Sequence, residues 1–98
     1  MLWIITCTDK PGAAPMREQH LDSHRKYLAS QADRLFFSGP QMTDDGAQQI
    51  GSVFMVKADS REDALRFIEG EDLYRAGVFE SVVIRRIRRG RLNPELAE

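Results

Sequence analysis

The sequence predicts an α+β domain in the order β-α-β-β-α-β, with a four-stranded antiparallel sheet and two helices on one face. Three observations predict it. Four runs rich in β-branched and aromatic residues recur along the chain: MLWIITCT, RLFFSGPQM, GSVFMVKA and VFESVVIRRI. Helical periodicity fills the interval between the first and second runs, and again between the third and fourth. The interval between the second and third, TDDGAQQI, is a polar turn with no room for a helix. The 98 residues suffice for one domain, 1–98, and not two.

Each element has a local cause. The first strand (residues 1–8) ends at the Pro/Gly break DKPGAAP. One helix is expected from about Pro15 to Ala32, since proline is tolerated in a first turn. The second strand (34–42) carries Gly39-Pro40 near its end, a bend or bulge signal. The third strand spans 51–58, and Ser60 then opens S-R-E-D, a loose capping box with Asp63 in the third position. The second helix (about 61–70) buries Ala64, Leu65, Phe67 and Ile68, and Gly70 ends it. EDLYRAG (71–77) reads as a short helical turn, 78–87 as the fourth strand, and 90–98 as a polar tail. This order is the ferredoxin-like split βαβ arrangement.

The strands are apolar on both sides. Val53 and Met55 oppose Phe54 and Val56; Leu2 and Ile4 oppose Trp3 and Ile5; Val82 and Ile84 oppose Val83 and Ile87. A sheet with one solvated face should be polar there. No third helix exists to cover the second face, so the economical cover is a second copy packed face to face in a two-fold homodimer.

A net charge of −1 gives no overall field favouring nucleic acid or a membrane surface. The apolar run LWII is far too short to span a bilayer, and no secretory signal pattern accompanies it, so the cytoplasm is the simplest location. The single cysteine, Cys7, excludes an intrachain disulfide and a Cys-rich zinc site, and reads as a small buried hydrophobe. No Gly-rich phosphate loop is present. RRIRRGR (85–91) could meet phosphate, but it lacks interleaved aromatics and reads better as a solvated strand end pairing with local carboxylates.

His24 lies at the border of a stripe formed by Leu21, Leu28 and Ala32. It fits a hydrogen-bonded structural histidine, or a general acid or base, because imidazole titrates near neutrality. The second role needs an orienting group. Asp72 follows the end of the second helix, where the side-by-side packing of the helices permits it to approach the first. It also fits the N-cap of the LYRAG turn. Asp44 and Asp45 read as turn residues. His20 and His24 stand i, i+4, a metal-compatible spacing without a third ligand, so no metal and no cofactor are expected.

The chain resembles the YCII-related family over nearly its full length. The resemblance rests on MLWIITCTDKP, on His24-Arg-Lys-Tyr-Leu28, on S-G-P at 38–40, on D-G at 45–46, on Gly51, on S-x-E-x-A at 60–64, and on Asp72 to Phe79. It implies a subunit that dimerises as an α+β barrel. It also implies an active-site histidine and aspartate, which map to His24 and Asp72. The family usually has Asp-Pro-aromatic where this chain has Asp72-Leu73-Tyr74. Some relatives resemble dehydrochlorinases of chlorinated hydroxylated rings. The expectation is a small enzyme using a His24–Asp72 pair for proton transfer on a small organic molecule, lyase- or isomerase-like. Gly39 and Pro40 would shape the pocket wall and Tyr74 would line it. The alternative is a non-catalytic ligand-binding or accessory dimer.

Overall fold

The central strand is the most apolar one. In a computed structural model that describes all 98 residues, β1 (Leu2–Asp9) lies between β3 (Gln49–Lys57) and β4 (Phe79–Ile87). β2 (Leu35–Met42) flanks β3, giving the order β2-β3-β1-β4 with every neighbouring pair antiparallel. The register sets Ile5 opposite both Phe54 and Ile84. A pleated strand sends alternate side chains to opposite faces. Trp3, Ile5 and Cys7 therefore share one face with Phe54 and Ile84, and all five are buried. The helices α1 (Ala14–Gln19), α2 (Leu21–Ser30), α3 (Arg61–Glu69) and α4 (Asp72–Arg75) complete that core, with Ala64, Phe67, Ile68 and Leu73 buried against it. Trp3 satisfies its indole by donating to the Ala58 carbonyl at 3.2 Å.

The α3 start follows the sequence signal in part. Ser60 Oγ accepts from the Asp63 amide at 3.1 Å. Asp63 Oδ2 reaches back to the Asp59 amide at 3.2 Å, one residue before the cap. Gly70 ends α3 with right-handed backbone, φ −81°. Its glycine answers a demand for space: a Cβ there would stand 2.8 Å from Tyr27 Oη, which donates to the Phe67 carbonyl at 2.7 Å. That close approach seats α2 against the end of α3.

The single helix expected over 15–32 is two. His20 separates α1 from α2 with φ −102° and ψ 10°. Ser23 Oγ donates to the His20 carbonyl at 3.1 Å, alongside the His24 amide at 2.9 Å. Back-bonding of this kind bends helices. α2 stops at Ser30, so Ala32 is exposed beyond it rather than part of the buried stripe. The arginines from Arg85 to Arg91 form no ion pair, where pairing with local carboxylates was expected; the nearby strand presents no carboxylate within reach.

The other face of the sheet stays apolar and uncovered. Leu2, Ile4, Val53 and Met55 are half-buried among themselves, while Phe37 and Val83 are 51% and 42% exposed. No helix is long and apolar enough to cross a membrane.

Candidate active site

A buried carboxylate must be supplied with donors. Glu71 is fully buried and has three. It precedes α4 with extended backbone (φ −78°, ψ 134°), which folds its side chain over the first turn. Oε2 accepts from the Leu73 amide at 2.8 Å and from the Tyr74 amide at 3.4 Å. Oε1 meets His24 Nδ1. α2 supplies that imidazole from above, and its ring stands edge-on to Phe54, centroids 6.5 Å apart. His24 is mostly buried, its side chain 13% exposed. Nδ1 is taken up by the carboxylate, and the Nε2 edge has no partner within the protein.

The carboxylate beside His24 is thus Glu71 and not the expected Asp72. Asp72 is the first residue of α4 and makes no side-chain hydrogen bond. The N-cap role also falls to Glu71. The reason is conformational. An extended residue just before a helix turns its side chain onto the free amides, whereas a residue already in the first turn projects away. Tyr74 contributes its backbone amide to Glu71, and its side chain is 37% exposed. Gly39 and Pro40 lie on β2, opposite Val53 and Ser52. Gly39 therefore belongs to the uncovered face of the sheet, away from His24, and Pro40 to the helix side of the strand beyond β3.

A second buried polar cluster lies beneath α1. Arg17 is 6% exposed. Its Nε donates to Asp9 Oδ2 at 2.9 Å, and its Nη2 donates to Asp9 Oδ1 at 3.0 Å and to Ser52 Oγ at 2.8 Å. The sequence reading missed it. No local signal marked it: an arginine reads as surface, and its partners Asp9 and Ser52 lie 8 and 35 residues away. Cys7 feels both clusters. Burial pushes its thiol up to about 12, with the Glu71 and Asp9 carboxylates adding to the rise and Arg17 opposing it. The thiol is therefore a protonated core group at neutral pH.

An open cleft of about 780 Å³ runs along the β1–α1 connection, with Arg17, Leu21 and Arg25 on one side and residues 47–50 on the other. Asp9 and Lys10 also line it. Asp45, in the turn nearby, accepts from Thr43 Oγ1 at 2.6 Å and the Ala47 amide at 3.0 Å, which hold its carboxyl below the usual range. His20 and His24 gather no third metal-ligating side chain.

Residues 1–88 match the YCII-related domain, and the chain belongs to that family. Among solved structures, it is similar to the 5-chloro-2-hydroxyhydroquinone dehydrochlorinase of Burkholderia phenoliruptrix in complex with 2,5-dihydroxybenzoquinone. That match has 26% identity and a TM-score of 0.83, covering 92% of this chain and 96% of that one. A protein of Agrobacterium tumefaciens shares the fold at 16% identity and TM-score 0.54, covering 96% and 98% of the two chains. A Pseudomonas aeruginosa protein does so at 16% and 0.53, covering 90% and 91%. Comparison with curated proteins finds no match.

Proposed function

We propose that this YCII-related chain is a small enzyme in which His24 moves a proton on a small organic substrate and Glu71 orients it. One observation carries the reading: a fully buried carboxylate holds Nδ1 of an imidazole whose Nε2 edge is unpaired. Nε2 takes a proton from the substrate, and the ionised Glu71 stabilises the imidazolium that forms. Nε2 then returns the proton to a leaving group or to a neighbouring atom. The step is a lyase or isomerase step and needs no oxidant. Similarity to the Burkholderia dehydrochlorinase supports one form of it. In this form, loss of a substrate proton to His24 Nε2 accompanies departure of chloride, so that HCl is lost overall.

The uncovered apolar face supports a homodimer in which two sheets pack together. Exposed patches of this kind mark association surfaces. Sedimentation equilibrium tests it: the expected mass is that of two chains, and substitution of Val83 by Lys should return it to one.

The function is tested with chlorinated hydroxyhydroquinones, following chloride release. Turnover is expected from the wild type and absent from His24→Ala with the fold intact by circular dichroism. Equal rates in the two proteins overturn the role of His24. A substrate bound and recovered unchanged favours the binding module instead.

A further inference from the structure

The Arg17 guanidinium is nearly buried, yet it is not fully used. Its Nε and both Nη2 hydrogens are committed to Asp9 and Ser52. Nη1 has no partner in the protein and is not sealed from solvent. Arg17 also forms part of the cleft wall. We propose that this cleft binds a small organic oxyanion, with Nη1 of Arg17 as the buried donor and Lys10 and Arg25 as charges on the rim.

Three features of the cleft select that ligand. Asp9 is consumed by Arg17, which leaves Lys10 and Arg25, neither in an ion pair, against the single free carboxylate of Glu18. The wall also carries apolar residues, Pro11, Ala13, Leu21 and Ile50, beside Gln48 and Gln49, and Ile50 is 45% exposed. The volume, about 780 Å³, lies within the range of small-molecule sites. A carboxylate or similar oxyanion on a small apolar body meets all three. Asp9 and Ser52 hold the guanidinium rigid before binding, so little side-chain entropy is lost on association. His24 is not part of the cleft wall. The site stands whether or not His24 is catalytic.

The test is an amide and arginine-side-chain NMR titration of the wild-type protein with benzoate, and with benzamide as the neutral isostere. Benzoate should give saturable shifts at millimolar concentration in the Arg17 Nε–H signal and in the amides of Lys10, Gly12 and residues 47–50. Benzamide should give weak shifts or none. Arg25→Gln should weaken benzoate roughly two- to fivefold, the scale of one exposed charge. Arg17→Lys should abolish the saturable shifts, with retained core signals showing that it folds; where it does not fold, the wild-type map decides. Absence of shifts in the cleft, shifts elsewhere, or equal response to benzamide overturns the proposal. Activity of His24 does not enter the readout.

Discussion

The two polar clusters beneath the helices are built on one plan and differ in one respect. Each buries a carboxylate against a cationic or basic side chain from the helices that follow β1, Asp9 with Arg17 of α1 and Glu71 with His24 of α2. Each carboxylate or its partner ties in a third element, Ser52 on β3 in the first and the amides of α4 in the second. The partner makes the difference. Guanidinium stays protonated at any physiological pH, so the first cluster is a permanent ion pair. Imidazole can gain and lose a proton, and the proposed function draws on that property. A fixed charge suits holding; a titrating one suits chemistry.

Breaking the first cluster should cost the most. Asp9→Ala leaves Arg17 buried without a counter-charge and should destabilise the fold by about 3–5 kcal/mol, measured by urea unfolding. A loss below about 1 kcal/mol would show that Arg17 swings out to water instead. The second cluster should yield less stability and more function. Glu71→Ala removes the α4 cap and the acceptor for His24, for a loss of roughly 1–3 kcal/mol. Glu71→Gln keeps the cap and reverses the hydrogen bond to Nδ1, which places the proton on Nε2. It should leave stability within about 1 kcal/mol and lower turnover by roughly 10²–10⁴-fold. Unchanged turnover would mean that Glu71 does not set the tautomer.

Gly70→Ala should act on the second cluster alone. The added Cβ meets Tyr27 Oη at 2.8 Å and pushes α2 outward, at a cost of about 1–3 kcal/mol. The His24 ring signal should shift while the Arg17 Nε–H signal stays. A pH effect joins the two clusters. Cys7 has a folded pKa of about 12 against an ordinary 9.0, through burial first and then the carboxylates of Glu71 and Asp9. The stabilisation from keeping it protonated is complete below the ordinary value and is lost as pH rises towards the folded one. Cys7→Ala should flatten the alkaline fall in stability between about pH 9 and about pH 12. An identical fall in the variant would assign it to other groups.

The fold was legible because apolar periodicity is local. Trp3, Ile5 and Cys7 alternate with Leu2, Ile4 and Thr6, and the structure sends the two sets to opposite faces. The α3 core positions Ala64, Phe67 and Ile68 follow the 3.6-residue period. His24 was legible as a residue at a buried edge. Its partner was not, because Glu71 and Asp72 are both carboxylates after Gly70, and cap statistics favour aspartate over glutamate. The choice depends on a backbone torsion at Glu71 that tertiary packing sets. Arg17 was illegible for a different reason. An arginine reads as surface, and its burial requires Asp9 and Ser52, the latter 35 residues away. The helix break at His20 coincides with the Ser23 hydroxyl donating to its carbonyl, a contact that apolar periodicity does not report.

Glu71 serves folding and the imidazole with opposite oxygens of one carboxylate. Selection acting on folding alone would retain it, since α4 loses its cap without it. His24 is likewise tied to the fold: it supplies the partner of Oε1 and packs edge-on to Phe54, so positions 24 and 71 would change together rather than singly.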